Sequence, residues 1–139
     1  MLGVYSLGGT SMIDHLGISV QDFAASKEFY LKALAPLGIG VIMNVPKEES
    51  GRPSDFTGFG YDQKPFFWIG QGVAPQGMHL CFAAKTRAEV DAFYKAALAA
   101  GARDNGPPGI REHYHPNYYG AFVIDPNGVN LEAVCHKPA

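Results

Sequence analysis

The 139-residue chain is poor in cysteine: Cys81 and Cys135 are the only two, and they form no Cys-x-x-Cys pair. A disulfide-stapled scaffold and a dithiol redox motif are thereby excluded. Both cysteines sit in strand-like apolar runs, and the expectation is two buried free thiols. No apolar stretch approaches the roughly eighteen residues of a membrane span. No charge of one sign dominates either. Eleven Lys and Arg stand against thirteen Asp and Glu, a net charge of −2, which leaves no electrostatic footprint for nucleic acid. A Gly-x-Ser-x-Gly nucleophile elbow is missing too. Residues 1–11 lack a cationic start and a continuous apolar core, so they do not read as a secretory signal. They are expected to be an N-terminal extension ahead of one domain over residues 12–139, and the cytoplasm is the expected location.

What is present is a near-repeat at an offset of 64 residues. His15 maps to His79 (79 − 15 = 64), Leu16 to Leu80, Phe29 to Phe93, Tyr30 to Tyr94 and Leu34 to Leu98. Residues 12–20 and 78–84 each alternate in the strand manner, and each leads into a helical stretch. In the first strand His15, Gly17 and Ser19 share a face opposite Leu16, Ile18 and Val20. In the second, His79, Cys81 and Ala83 oppose Leu80 and Phe82. Large apolar residues on one face can pack on a helix, while a histidine among small residues on the other suits the floor of a cavity.

Asp22 is placed to cap a helix running to about Leu37, with Gly38 as its stop. Thr86 and Glu89 have capping-box spacing, and Val90, Phe93, Tyr94, Ala97 and Leu98 form a core-facing stripe that ends at Gly101. The Phe-Tyr pairs are core packing on this reading. Strand-like runs follow at residues 39–45, 57–61 and 66–69, then at 118–124 and 129–135, with an Asp125-Pro126-Asn127-Gly128 turn between the last two. Asp62-Gln63-Lys64-Pro65 holds the matching place in the first half, and residues 46–55 and 103–116 read as loops. The expected fold is therefore α+β, two paired β-α-β-β-β modules over about residues 12–73 and 74–136.

Asn130, Glu132, Val134 and His136 fall on one face of the last strand. A carboxylate deep in an apolar run needs a partner or a metal. A lone strand histidine is more often a satisfied polar residue than a ligand, but two histidines related by the repeat, plus Glu132, form a two-histidine, one-carboxylate set. Such a set suits a divalent ion (Fe, Mn, Ni, Co or Zn) and leaves coordination positions open. His115, Tyr118 and Tyr119 lie in a dense stretch able to line a pocket, with Glu132, His115 and Tyr119 as candidates for moving a proton. Trp68, Tyr118 and Arg111 are the candidates for substrate contact, and Arg52 is a further loop cation. A His113-x-His115 metal pair of the kind found in cupin barrels conflicts with the helices and the repeat.

The run Ile13-Asp14-His15-Leu16-Gly17-Ile18-Ser19-Val20, then Phe29-Tyr30, His79-Leu80, and Phe122-Val123-Ile124-Asp125-Pro126-Asn127-Gly128-Val129-Asn130-Leu131-Glu132 resembles the vicinal oxygen chelate superfamily. That group holds glyoxalase I, bleomycin-resistance proteins, fosfomycin-resistance thiol transferases and extradiol dioxygenases. The resemblance spans residues 12–136 and implies metal ligands on the first and last strands of each module, which land on His15, His79 and Glu132. The fourth position departs from the pattern. Subtracting 64 from Glu132 gives Trp68, and aligning the aspartate-led turns gives Ile69; neither binds a metal.

The resemblance implies a divalent-metal-dependent enzyme (lyase, isomerase, dioxygenase or thiol transferase) acting on a small oxygen-chelating substrate. Its alternative is a non-catalytic small-molecule or antibiotic-binding protein of the bleomycin-resistance type. A homodimer is expected, from the resemblance and from the exposed edges of short sheets, and neither nucleic acid nor membrane is expected as a partner.

Overall fold

The computed structural model describes residues 12–139, so the extension expected at residues 1–11 lies outside the described residues. Strand β1 (Leu16–Val20) leads into α1 (Phe23–Leu34), which tightens into a 3-10 turn over Ala35–Leu37. Then come β2 (Gly40–Val45), a single helical turn α2 (Lys47–Ser50), β3 (Phe56–Tyr61) and β4 (Lys64–Gln71). The second half runs β5 (His79–Ala83), α3 (Arg87–Ala99), the short β6 (Arg103–Asp104) and β7 (Gly109–Ile110), β8 (Tyr119–Ile124) and β9 (Asn130–Cys135). Two sheets result, in the orders β1-β4-β3-β2 and β5-β9-β8-β6, with β7 also on β8. In each, the first strand of the module runs parallel beside the last, and the remaining pairs are antiparallel.

Local chemistry explains the boundaries. The Asp22 carboxylate accepts from the Ala25 N–H at 3.0 Å, and Gly38 ends the turn after α1 with φ 76°. Thr86 Oγ1 accepts from the Glu89 N–H at 3.1 Å, while Glu89 reaches back to the Lys85 N–H at 2.6 Å. Asp62 and Gln63, with φ 52° and 62°, make the two-residue hairpin between β3 and β4.

Several expectations need correction. The first strand begins at Leu16, so His15 stands just ahead of it. Residues 46–55 include α2, and residues 103–116 include β6 and β7, which together replace the continuous second strand of the first module. Pro107 and Pro108 interrupt that segment and withhold ladder N–H groups, which explains the split. Cys135 is buried, but Cys81 is exposed on the face of β5 that it shares with His79 and Ala83. Tyr94 packs against the core as expected but is only half-buried, its hydroxyl donating to Asp104 at 3.0 Å.

The core lies where α1 and α3 pack on their sheets and on each other. Tyr30 is wholly buried, its ring against Phe29, Phe59 and Phe67, and Phe67 meets Phe82 of the other module at 5.5 Å. A polar tie joins the modules as well. Buried Tyr30 donates its hydroxyl to Asp125 Oδ2, and Asp125 Oδ1 accepts the N–H groups of Asn127 and Val129, both at 2.8 Å. Asn127 in turn bonds Ser26 and the Gln21 N–H, each at 3.0 Å, so the turn of one module docks on the helix of the other.

Burial, and then the Asp125 carboxylate, raise the Tyr30 phenol well above its ordinary range. Above about pH 10 the unfolded chain therefore releases a proton that the native state keeps, and stability falls as pH rises. The contribution is complete below that pH and is lost by up to about 1.4 kcal/mol per pH unit above it. Alkaline denaturation followed by circular dichroism is expected to be less steep in Tyr30→Phe than in the parent chain.

Candidate functional site

The second sheet brings together His79 at the start of β5, Glu132 in the middle of β9 and Tyr118 just ahead of β8. The parallel register sets His79 opposite Asn130 and Cys81 opposite Glu132. Glu132 is 2% exposed, in a strand otherwise filled by Leu131, Ala133 and Val134. Its two oxygens have separate partners. Oε1 lies 3.1 Å from His79 Nε2, and Oε2 accepts the Tyr118 hydroxyl. Gly120 leaves the room for this, because a Cβ there would stand 3.1 Å from Glu132 Oε2 and 3.2 Å from the Tyr118 ring. A glycine inside a strand pattern was the available sign of such a close approach.

The His79 ring is oriented from its far side. Nδ1 lies 3.1 Å from the Asn130 carbonyl oxygen, which can only accept, so the hydrogen-bond network assigns the ring proton to Nδ1. In the neutral ring Nε2 then presents a lone pair to a carboxylate oxygen. Two acceptors facing each other at 3.1 Å need something between them, either a proton carried by one of the two groups or a bound cation. The outer partners are those that metal-binding groups use: a backbone carbonyl behind the imidazole and a hydroxyl behind the carboxylate. Adjacent ligands about 2.1 Å from an ion in octahedral geometry stand about 3 Å apart, close to the 3.1 Å of this pair.

Tyr118 is raised well above its ordinary range, first by desolvation and then by the hydrogen bond and charge of Glu132, so it remains a donor. The Cys81 thiol is also pushed well up by desolvation and by Glu132, which keeps it protonated and argues against a thiolate nucleophile.

His15 is not gathered with this pair. Its Nδ1 lies 2.8 Å from Asp14 Oδ1, and Asp14 also pairs with Lys64. These two contacts, Lys64 first, hold the Asp14 carboxyl below its ordinary value. Among the described residues no three His, Cys, Asp or Glu side chains assemble within metal-binding reach. His15 does line an open cleft of about 560 Å³ whose other wall carries Leu80, Cys81 and Phe82 from β5.

The remaining candidates divide. His115 Nε2 lies 2.7 Å from His136 Nδ1, and the His115 ring stands edge-on to Tyr118 at 5.4 Å, one residue removed from Glu132. His136 is the partner that the sequence pattern did not supply. His113 packs on Tyr114 instead. Tyr119 points the other way, donating to Asp91 of α3 at 2.6 Å beneath the Arg87 guanidinium, so it is not brought to Glu132. Arg111 braces its own loop, donating to the carbonyls of Gly109 and Pro107 at 2.9 and 2.7 Å with its guanidinium over Phe122. Trp68 lies on the first sheet, half-buried and beside Phe56.

The strand registers also decide the fourth position. Gly17 pairs with Trp68 as Cys81 pairs with Glu132, so Trp68 is the counterpart of the acid, and Ile69 is not.

The chain matches the Glyoxalase/Bleomycin resistance protein/Dioxygenase superfamily over residues 12–133 and belongs to it. Among solved structures it is similar to a glyoxalase/bleomycin resistance protein from Albidiferax ferrireducens T118, with 29% identity and a TM-score of 0.73 over 92% of this chain and 100% of that one. A glyoxalase/bleomycin resistance protein/dioxygenase family enzyme from Burkholderia phytofirmans PsJN shares the fold at 21% identity and a TM-score of 0.65, over 91% of this chain and 100% of the other. So does a mutant of the genomically encoded fosfomycin resistance protein of Listeria monocytogenes, complexed with Mn(II) and 1S,2S-dihydroxypropylphosphonic acid. Here identity is 17% and the TM-score 0.63, over 91% of this chain and 90% of that one. A search of curated proteins found no match. Among the described residues no helix is long and apolar enough to cross a membrane.

Proposed function

We propose that the protein is a divalent-metal-dependent enzyme acting on a small oxygen-chelating substrate, with His79, Glu132 and His15 as the metal ligands. The observation that carries this is the facing pair of acceptors, His79 Nε2 and Glu132 Oε1, each group held from behind by a hydrogen-bond partner. His15 supplies the third donor, its Nδ1 engaged by Asp14 so that Nε2 is the atom offered. A divalent ion bound there would supply a Lewis acid for a substrate oxygen and leave positions open for that substrate. The chain's own part is to hold Glu132 aimed through Tyr118 and to keep Cys81 a neutral bystander. Tyr118 and His115 stand on the side of Glu132 where a proton would leave or arrive.

A homodimer would complete the set. Among the described residues β1 and β5 are both sheet edges, each paired on one side only. Pairing the β1 edge of one protomer with the β5 edge of its partner would cover both and bring His15 of one copy to His79 and Glu132 of the other. Co-expression of His15→Ala and His79→Ala chains, purified as the mixed dimer through two different tags, tests this. Each variant alone is expected to bind almost no Mn(II). The mixed dimer is expected to recover about one site, against about two in the parent dimer, because one of its two interfaces keeps every ligand. No recovery would place the site within one chain, and undiminished binding by both variants would sink the ligand set.

A further inference from the structure

The first sheet carries, at the position of the acid, a surface of opposite character. Across the second sheet the order at this level is Cys81, Glu132, Phe122; across the first it is Gly17, Trp68, Gly58. The large residue has moved from the flanking strand to the central one, and both neighbours of the indole are glycines. They let it lie flat. A Cβ on Gly58 would come within 2.9 Å of the indole carbons, and one on Gly17 would meet Trp68 Cβ at 3.7 Å. Phe56 continues the aromatic floor at 5.3 Å from Trp68.

Two adjoining hollows of about 570 and 300 Å³ lie over this floor, sharing Gly17, Arg52, Phe56 and Trp68 as lining. His15 lines the larger one, together with Asp14 and Lys64. Arg52 is stacked on Phe56, its guanidinium carbon 4.5 Å from the ring centre, and among the described residues it has no carboxylate partner. Its loop is pinned. Asp55 accepts from Asn44 Nδ2 at 3.1 Å and the Lys47 N–H at 3.0 Å, and Ser54 Oγ accepts the Gln71 N–H at 3.1 Å. A guanidinium stacked by one face keeps its N–H edge free for two parallel bonds to a carboxylate.

We propose that this groove binds a planar, conjugated carboxylate, its flat body on Trp68 and its carboxylate on Arg52. The inference deepens the reading above by naming the substrate class, with the chelating end of the true substrate at His15. The groove itself needs no metal, so its test is run in chelator.

Trp68 is the chain's single tryptophan, and its emission therefore reports the groove directly. The probes are trans-cinnamate, its neutral counterpart cinnamyl alcohol and its saturated counterpart 3-cyclohexylpropanoate, titrated by calorimetry with Trp68 emission excited near 295 nm. Cinnamate is expected to quench Trp68 and to bind at least about tenfold more tightly than either analogue. Arg52→Gln should lower cinnamate affinity about tenfold and leave cinnamyl alcohol unchanged, while Arg52→Lys should restore only part of it. Arg52 is exposed on its loop, so neither variant threatens the fold. His79→Ala in chelator should bind cinnamate as the parent does, which separates this proposal from the metal reading. Three probes of equal affinity, an unquenched Trp68, or an Arg52→Gln protein that binds cinnamate normally would each overturn it.

Discussion

Glu132→Gln is expected to lower Mn(II) affinity by more than about a hundredfold while leaving the metal-free protein folded. The glutamine amide oxygen can still accept the Tyr118 hydroxyl, and its NH₂ can donate to His79 Nε2, so the buried polar pair stays satisfied without a cation. Only the negative ligand is lost. Equilibrium dialysis gives the affinity, and thermal melting in chelator gives the fold control. Tyr118→Phe is expected to weaken Mn(II) by about tenfold to a hundredfold, because it removes the donor that aims the carboxylate rather than the carboxylate itself. Cys81→Ala should bind Mn(II) within about a factor of three of the parent, because its protonated thiol is not among the ligands. Unaltered Mn(II) binding in Glu132→Gln would move the metal centre elsewhere.

Asp125→Ala is expected to lower stability by about 3–4 kcal/mol, a melting shift on the order of 10 °C. Asp125 is 3% exposed and accepts three hydrogen bonds, from the Tyr30 hydroxyl and the N–H groups of Asn127 and Val129. Alanine strands a fully buried phenol and loosens the turn that Asn127 docks on α1. Asp125→Asn keeps one acceptor and should lose about half as much. Urea denaturation of the three proteins ranks them, and a loss below about 1 kcal/mol for alanine would show that the tie between modules contributes little.

The features legible in the chain were those carried by short-range pattern. The alternation in the two histidine strands and the stripe through Val90, Phe93 and Ala97 follow from side-chain periodicity over a few residues, the caps at Asp22 and Thr86 from single residues, and the offset of 64 from the recurrence of these local patterns. They were enough to define two β-α-β-β-β modules, and the burial of Glu132 followed from the apolar run around it. Tertiary structure decided what depends on strand register and on loops. A one-residue slip separates Trp68 from Ile69 as the counterpart of Glu132, and only the pairing of β1 with β4 chooses between them. Tyr118 and Tyr119 are neighbours in sequence, yet the pleat sends one to Glu132 and the other to Asp91. His115 meets His136 across 21 residues, and Tyr30 meets Asp125 across 95, contacts with no local signature. Periodicity tells each residue which face it takes, but what waits on that face is set by distant chain, and so the sequence by itself determined the modules and the donor types while the packing decided which donors meet.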